Sequence, residues 1–394
     1  MLPIRTLTIA LGVTLLGISL VTAGSALNGG GAQNETNASS ALMPDWEADI
    51  FNLPPEVAFP GGDWLNRIAT PETVYVFGGK TYSSAYAGML EGEPLKYPCR
   101  NFNAYINSIV VPNKFAGQVV DAVGSLEWGH YLLCYLRNFV GAMIVYYGVA
   151  GIFHYFCYIH PSSQETFEKQ GRVRPSAKIM WDQIRLAQGS LTLYVLLPVF
   201  DEWIVEKGWT RTYFTVAEIG GWGYYAMYML LYFCLVEIGI YWMHRTLHTN
   251  KWMYKNIHLL HHKYNKPETL TPWASIAFHP IDGILQASPY VLALPIVPVH
   301  YLTHFVLLFF TAVWATYIHD AMDLNIGPIM GSKYHTVHHT HYIYNYGQVF
   351  TFCDHFWNTF REPNGPTGVP NAAKQRTRPT SGRGVSSSNN NKTD

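Results

Sequence analysis

Long apolar stretches alternate with short polar segments through the middle of the chain, and they predict helices that cross a membrane. The stretches are Tyr131–Ile159, Leu186–Phe200, Trp222–Met243, Ile281–Val299 and Tyr301–Ile318. A transmembrane helix needs about 20 mostly apolar residues, and most of the five approach or exceed that length. The predicted fold is an all-α integral membrane protein with four or five membrane helices.

The chain outside these stretches predicts three further regions. Residues 1–27 place Arg5 before an apolar run that small residues follow, so a cleaved signal peptide and an uncleaved first membrane helix both fit. Residues 28–130 predict an irregular pre-region, and residues 131–363 the membrane domain. Residues 364–394 are rich in Gly, Pro, Ser and Asn, which predicts a disordered tail.

The composition supports a lipid bilayer as the main environment of the chain. Only 13% of the 394 residues are charged and 49% are hydrophobic, whereas soluble domains carry roughly 25% charged residues. The 26 basic and 26 acidic residues give a net charge of zero. A nucleic-acid-binding protein needs a basic surface, so this class is excluded.

The distribution of basic residues predicts an orientation. Residues 165–185 are rich in Lys and Arg, and such loops stay in the cytoplasm. The path of the predicted helices then places Asn34 and Asn37, both in glycosylation sequons, in the lumen. It also places the residues that follow Met243 and Ile318 on the cytoplasmic side.

Histidines are concentrated on that predicted cytoplasmic side, where they form three motifs within residues 230–361. The motif residues are His244 and His248; His258, His261 and His262; His335, His338 and His339. Residues three or four apart share a helix face, and buried imidazoles without partners would be costly. The pattern therefore predicts a metal site, with more than one ion.

Residue types that are missing from these motifs narrow the choice of metal. A zinc protease would carry His-Glu-x-x-His, structural zinc sites use cysteines, and carboxylate-bridged di-iron bundles use Glu-x-x-His pairs. Iron fits best, because oxidation of an apolar substrate by O2 needs redox chemistry. The spacing alone leaves a di-zinc centre open. Glu237 lies two helical turns before His244, which predicts a hydrogen bond to an imidazole; a structural hydrogen bond to another helix is the alternative.

The spacing of the motifs and their flanks resembles the fatty acid hydroxylase and sterol desaturase superfamily. Within it, the flanks are similar to the sterol C5-desaturase (lathosterol oxidase) branch. They read Glu237-Ile-Gly-Ile-Tyr-Trp-Met-His244, Phe278-His279-Pro280-Ile-Asp282-Gly283, Ile318-His319-Asp320 and Tyr344-Asn345-Tyr346-Gly347-Gln348. The resemblance covers about residues 180–361.

This resemblance implies a di-iron enzyme of the endoplasmic reticulum membrane whose metal site faces the cytoplasm. It would introduce the C5(6) double bond into a Δ7-sterol with O2 and with electrons from NADH, delivered through cytochrome b5 and its reductase. It adds His319 to the eight motif histidines as a ligand. It also makes His279 a ligand or a hydrogen-bond partner of one. Asp323 stands where close relatives often have a histidine, and its carboxylate either ligates iron in place of that histidine or leaves the site one ligand short.

Two other functions stay open on the sequence. One is a hydroxylase or C4-methyl oxidase of the same superfamily, acting on a sterol or a fatty acid. The other is a metal-binding or metal-transporting membrane protein without enzymatic activity, although transporter histidines are expected within the spans rather than past their ends.

Overall fold

The computed structural model describes residues 113–161, 163, 173–213, 216–320 and 328–363, two short strands, and single residues between 103 and 111. Residues 1–27, the sequons at Asn34 and Asn37, Asp323 and the tail 364–394 lie outside the described residues. Regular helix begins before residue 131, the predicted start of the membrane domain.

The described elements are mostly helices. In chain order they are β1 (Tyr75–Phe77), β2 (Lys80–Tyr82), α1 (Asn113–Val123), α2 (Leu126–His154), α3 (Ala177–Tyr194), α4 (Leu196–Glu206), β3 (Thr212–Tyr213), α5 (Trp222–Thr249), α6 (Pro280–Ala293), β4 (Val299–His300), α7 (Tyr301–Ile318), α8 (Ser332–His341) and α9 (Phe352–Phe356). Shorter helical turns are Tyr155–Ile159, Val216–Ile219, Lys251–Met253, Tyr254–His258, His261–Lys263 and Pro272–Ala274. Strands β1 and β2 pair antiparallel, and β3 and β4 pair parallel.

Three of the predicted membrane segments form helices that are long and apolar enough to cross a bilayer. They are Glu127–Ile159, Trp222–Thr249 and Tyr301–Ile318. These helices and the scarcity of strands confirm the prediction of a mainly α-helical membrane protein.

The remaining two predicted segments have a different structure. The segment 186–200 is divided between α3 and α4, which meet at Val195, and 281–299 holds α6 and the turn to β4. The segment 186–200 is followed by two carboxylates, Asp201 and Glu202, yet the helix does not end there. Helix α4 continues through both residues, and both are buried.

Partners on neighbouring helices explain how these two carboxylates are buried. Glu202 pairs with Arg137 of α2, and Oδ2 of Asp201 lies 2.8 Å from Nε2 of His304 in α7. The other ring nitrogen of His304 lies 2.7 Å from the hydroxyl of Tyr232 in α5. A buried charge is tolerated when it is paired and hydrogen-bonded, and these pairs join four helices.

Helix α5 runs through the centre of the bundle and approaches α6 most closely at Gly239. A Cβ built there would lie 2.8 Å from Cβ of Pro289, so only glycine allows this contact. The apolar core around the contact includes Tyr232, Tyr290 and Leu294. The α5–α6 pair therefore holds its two backbones at a fixed separation.

One end of the bundle gathers the predicted site. Residues 222–243 of α5 span about 33 Å at 1.5 Å per residue, slightly more than the ~30 Å hydrocarbon layer. His244 and His248 occupy the turns beyond that length. The end of α7, the first turn of α6 and the whole of α8 meet them there.

Candidate metal centre

The three histidine motifs are held by different kinds of helix. His244 and His248 lie one turn apart on α5, and the third motif lies on α8. The second motif is held in wider and tighter turns, Tyr254–His258 and His261–Lys263. These changes of pitch bury His258, His261 and His262 although Lys255 and Lys263 on the same segment stay exposed.

The nine histidines predicted as ligands form two compact groups. The first group consists of His244, His248, His258, His262 and His338; the second consists of His261, His319, His335 and His339. In each group, one potential ligand atom from every member lies within 4.8 Å of all the others. His319, which the resemblance added to the motifs, follows α7 directly and belongs to the second group.

The two groups divide the sequence motifs, contrary to the expectation that each motif points its imidazoles one way. His261 and His262 are neighbours in sequence but contribute to different groups, because adjacent residues on a helical turn point about 100° apart. His335 and His339 share a helix face and a group, whereas His338 contributes to the other group.

In the first group the ligand nitrogens are closely spaced. Nε2 of His248 lies 2.9 Å from that of His258 and 3.1 Å from that of His262. Nε2 of His262 lies 3.2 Å from that of His338. Ligand nitrogens about 2.1 Å from a shared metal ion stand roughly 3.0–3.4 Å apart, so the spacing suits one ion.

The second group has the same spacing. Nε2 of His319 lies 3.3 Å from that of His261 and 3.0 Å from that of His335. Nε2 of His339 lies 3.0 Å from that of His335. Four imidazoles therefore surround a second position of the same size.

Hydrogen bonds at the outer ring nitrogens, Nδ1, indicate that the short distances between the Nε2 atoms require a cation between them. Nδ1 of His244 lies 3.0 Å from the carbonyl oxygen of Tyr346, and Nδ1 of His338 lies 2.8 Å from that of Tyr344. A carbonyl oxygen only accepts, so Nδ1 carries the proton and Nε2 of the neutral ring carries a lone pair. Nε2 of His244 has no hydrogen-bond partner among the described residues. Lone pairs that converge in a dry site repel one another unless a metal ion lies between them.

The same tautomer follows for His319 in the second group. Nδ1 of His319 lies 2.7 Å from the carbonyl oxygen of Ala315, which leaves Nε2 to face His261 and His335. The residues of both groups therefore fit a metal, and imidazole ligation suits iron, copper and zinc alike.

Burial keeps these imidazoles in the form that binds metal. It lowers the pKa of His258, His262 and His335 well below the usual value, and neighbouring imidazoles lower it further. It lowers the pKa of His319 to about 4. Neutral imidazoles are metal ligands without prior loss of a proton.

Asp282 holds one ligand in place, a role that sequence reasoning did not assign. Its Oδ2 lies 2.8 Å from Nδ1 of His258, and its Oδ1 accepts a hydrogen bond from Gln286. Carboxylate–imidazole pairs of this kind fix the orientation of a ligating ring. The signal in the sequence was a carboxylate at the start of an otherwise apolar helix, next to His279.

Glu237 makes other contacts than the predicted bond to an imidazole. Its Oε1 accepts hydrogen bonds from the backbone N–H groups of Gln348, Val349 and Phe350, at 3.1, 2.9 and 2.9 Å. The carboxylate thus anchors the 344–350 loop, and the same loop provides the carbonyls that orient His244 and His338. Glu237 acts on the ligands through this loop.

Two further histidines, His279 and His355, lie away from the two groups. His279 caps α6, where its Nδ1 accepts a hydrogen bond from the N–H of Ile281, and it belongs to neither group. His355 is exposed and stacks on Phe360. Asp323 lies outside the described residues.

A mostly apolar cavity of about 120 Å³ borders both groups. Its wall includes His244 of the first group and His261, His319 and His335 of the second. The rest of the wall comes from α3, α5, α6, α7 and neighbouring loops, with polar atoms on a few side chains: Tyr194, Ser275, Gln286, Tyr290, Thr311 and Gln348. A molecule in this cavity would contact apolar side chains and the two metal positions together.

Comparisons with known proteins agree with the geometry. Residues 229–359 match the profile of the fatty acid hydroxylase family. The chain is 39% identical over 264 residues to a Delta(7)-sterol-C5(6)-desaturase of Nicotiana tabacum, covering 66% of this chain and 96% of that protein. It is 42% identical over 234 residues to a putative Delta(7)-sterol-C5(6)-desaturase 2 of Arabidopsis thaliana, covering 59% of this chain and 82% of that protein.

A mammalian relative matches over a similar region. Lathosterol oxidase of Rattus norvegicus is 32% identical over 236 residues, which cover 58% of this chain and 75% of that protein. No solved structure matches. The similarity to the tobacco protein covers nearly its whole length, and the match to the family profile spans all three histidine motifs. The chain therefore belongs to the sterol C5-desaturase branch of the fatty acid hydroxylase family.

Proposed function

We propose that the chain is a sterol C5(6)-desaturase that acts on a Δ7-sterol. The observation that carries the proposal is the apolar cavity with imidazoles of both histidine groups in its wall. The similarity to a Delta(7)-sterol-C5(6)-desaturase and to a lathosterol oxidase supports the reaction and the substrate class.

We propose that each histidine group holds one iron ion. The first group would ligate through five imidazoles and the second through four. Iron bound there supplies the redox chemistry with which O2 oxidises an unreactive C–H bond. Overall, two hydrogens leave adjacent sterol carbons, O2 becomes two waters, and two electrons and two protons enter.

The chain's own residues would position the substrate. Phe278, Tyr290 and Leu308 offer apolar surface to the sterol rings, and their packing excludes water from the metal positions. Ligand pockets commonly measure about 300–1,000 Å³, so this cavity would receive the reacting edge of the sterol rather than the whole molecule.

The finer features of the enzyme belong to the same proposal. We infer that residues 131–363 form the core of a multi-pass oxidase in the endoplasmic reticulum membrane, with four or five spans. The metal site would face the cytoplasm, where cytochrome b5 and its reductase pass on electrons from NADH. The basic residues near the histidine end, for example Lys178 and Lys255, support this side by their charge.

Sterol analysis of a host that lacks its own C5-desaturase tests the proposal. Expression of the full chain should convert accumulated Δ7-sterols into Δ5,7-sterols. The His335→Ala variant should lose at least 100-fold of this activity, whereas the matched exposed variant His355→Ala should keep it.

Other products in the same experiment would indicate one of the two alternative functions. Unchanged Δ7-sterols together with a hydroxylated sterol or fatty acid would overturn the desaturase and indicate the hydroxylase. No modified lipid at all, in a protein that still holds metal, would favour a metal-binding protein without this activity.

A further inference from the structure

A separate set of side chains of the kinds that bind metal lies at the other end of the bundle from the two histidine groups. His130 and Cys134 lie one turn apart near the start of α2, and Glu206 is the last residue of α4. All three are buried, and one potential ligand atom of each lies within 4.8 Å of the others. We call these three residues the α2–α4 cluster.

The α2–α4 cluster is far from the proposed iron positions. Helix α2 rises by about 30 Å between Cys134 and His154, at 1.5 Å per residue. Just past His154, Sγ of Cys157 lies 2.6 Å from Oδ2 of Asp320, and Asp320 follows His319 of the second histidine group. The two ends of α2 therefore lie at different sites, and the cluster takes no part in the proposed oxidation.

Three kinds of ligand atom converge in the cluster. Nε2 of His130 lies 3.0 and 3.2 Å from the two carboxylate oxygens of Glu206, and it lies 3.6 Å from Sγ of Cys134. A tetrahedral zinc ion binds nitrogen and oxygen at about 2.0–2.1 Å and sulfur at about 2.3 Å, so N and O ligands stand about 3.3 Å apart and N and S ligands about 3.6 Å apart. The spacing suits one zinc ion.

The groups around the cluster donate hydrogen bonds to its ligand atoms. Nδ2 of Asn103 donates to Oε1 of Glu206 at 2.8 Å, and the hydroxyl of Tyr131 donates to Oε2 at 3.1 Å. Nδ2 of Asn107 donates to Sγ of Cys134 at 3.3 Å. Such bonds orient metal ligands, and they favour the charged forms of a carboxyl and a thiol group.

A hydrogen bond between the imidazole and the carboxylate does not explain the whole arrangement. A ring nitrogen carries either one hydrogen or one lone pair, so Nε2 of His130 does not fully satisfy a carboxylate and a thiol together. A cation between the three atoms would bind all of them at once.

We propose that the α2–α4 cluster binds one Zn²⁺ ion through Nε2 of His130, Sγ of Cys134 and the carboxylate of Glu206, with a fourth position for water. Binding releases the thiol proton to solvent, and thiolate and carboxylate then balance the two charges of the ion. Arg137 and Glu202, on the same two helices, pair with each other, so the buried site carries no net charge. The ion would tie the start of α2 to the end of α4.

Cobalt substitution of the full chain tests the proposal. The protein is expressed with Co²⁺ in place of Zn²⁺ in the medium and is purified in phosphatidylcholine nanodiscs. A cysteine ligand gives thiolate-to-cobalt charge-transfer absorption, and the two histidine groups contain no cysteine. The unmodified chain should show this absorption, and Cys134→Ala should reduce it at least tenfold. The matched control is Cys234→Ala, which removes a free cysteine of α5 outside the cluster and should keep the absorption.

Glu206→Gln provides a second measurement with little change of shape. Its amide oxygen can still accept a hydrogen bond, but the charge that balances the ion is lost. The affinity for Zn²⁺, measured by competition with a chelating dye, should fall at least tenfold. Glu127→Gln is the control, because Glu127 also joins α2 to the end of α4, through Lys207 at 2.5 Å, but is not in the cluster. It should change the affinity less than twofold.

Two results would overturn the zinc site. One is a cobalt-grown unmodified chain without thiolate absorption, which would make the cluster a hydrogen-bonded network only. The other is absorption that persists in Cys134→Ala. A chain that shows the absorption but forms no Δ5,7-sterol would contradict the proposed reaction and leave the zinc site in place.

Discussion

At the scale of single residues, Gly283 determines how much room the cavity has. A Cβ at this position would lie 2.4 Å from Cε2 of Phe278 and 3.0 Å from Cδ2 of Tyr194. Both rings line the cavity, and they pack edge to face against each other. Any larger residue must therefore displace aromatic rings in the wall of the cavity.

Gly283→Ala is expected to raise the KM for the sterol about tenfold or more while the iron content stays the same. Steady-state kinetics and metal analysis check this result. Gly189→Ala is the control, because a Cβ there meets nothing within 4 Å, and alanine at an open helix position is neutral or slightly stabilising. Equal kinetics for the two variants would show that the cavity does not bind the substrate.

Asp282 gives a second prediction at this scale, through its contact with His258. Asp282→Asn removes the charge that orients the ring, and loss of such a partner typically costs about 10–100-fold in metal affinity. Titration of the purified protein with a chelator should show one weakened iron and one that is unaffected. Asp121→Asn, at an exposed position of α1, should change neither iron.

At the scale of elements, the 344–350 loop orients ligands that lie on two helices. Tyr344 and Tyr346 bind His338 of α8 and His244 of α5 through their carbonyl oxygens. Asp354 holds the loop from one side through the N–H groups of Tyr346 and Gly347, and Glu237 holds it from the other. The first histidine group therefore depends on a loop that contributes no ligand.

Glu237→Leu should loosen the loop and release iron from the first group before the second. Three backbone N–H groups, one buried and two partly buried, would lose their acceptor, at a cost of at most about 1–3 kcal/mol each. The iron content should fall from two toward one per chain, and the protein should melt at a lower temperature. Glu237→Gln keeps a carbonyl acceptor and should have a smaller effect; an equal effect would mean that charge, rather than the backbone bonds, is what matters.

The same loop shows what the sequence could predict and what it could not. Helical spacing identified eight histidines because their periodicity is local, and the resemblance added His319. The division into two groups depends on which helix faces which, so His261 and His262 could not be separated from spacing. The bond from Glu237 to the loop joins residues more than 100 positions apart, and no local pattern contains it.

At the scale of the whole molecule, the apolar stretches predicted the main helices, but the polar residues inside them were harder to place. Asp201 and Glu202 resembled the end of a segment because charged residues usually avoid the bilayer. Their partners, His304 and Arg137, lie on helices far away in sequence. Only the assembled bundle shows that these charges are compensated.

Removal of metal should destabilise the whole domain, because nine closely spaced imidazoles, eight of them buried, would then face one another without a cation between them. A ligand at 100 times its Kd stabilises by about 2.7 kcal/mol, which corresponds to about 5–10 °C in melting temperature for a domain of this size. Incubation with a strong iron chelator should lower the melting temperature by that amount, and Fe²⁺ should restore it. A melting temperature that does not respond would contradict the assignment of both groups as metal sites.

The uninterrupted course of α5 has a consequence for which carbons react. One helix both crosses the bilayer and ends in His244 and His248, so the height of the metal positions above the membrane is set by a count of residues. A sterol in a bilayer keeps its hydroxyl at the surface and its rings below, which places each ring carbon at its own depth. In the proposed reaction, the selection of the C5–C6 pair is thus a matter of vertical alignment as well as pocket shape, and membrane thickness becomes a determinant of regiochemistry.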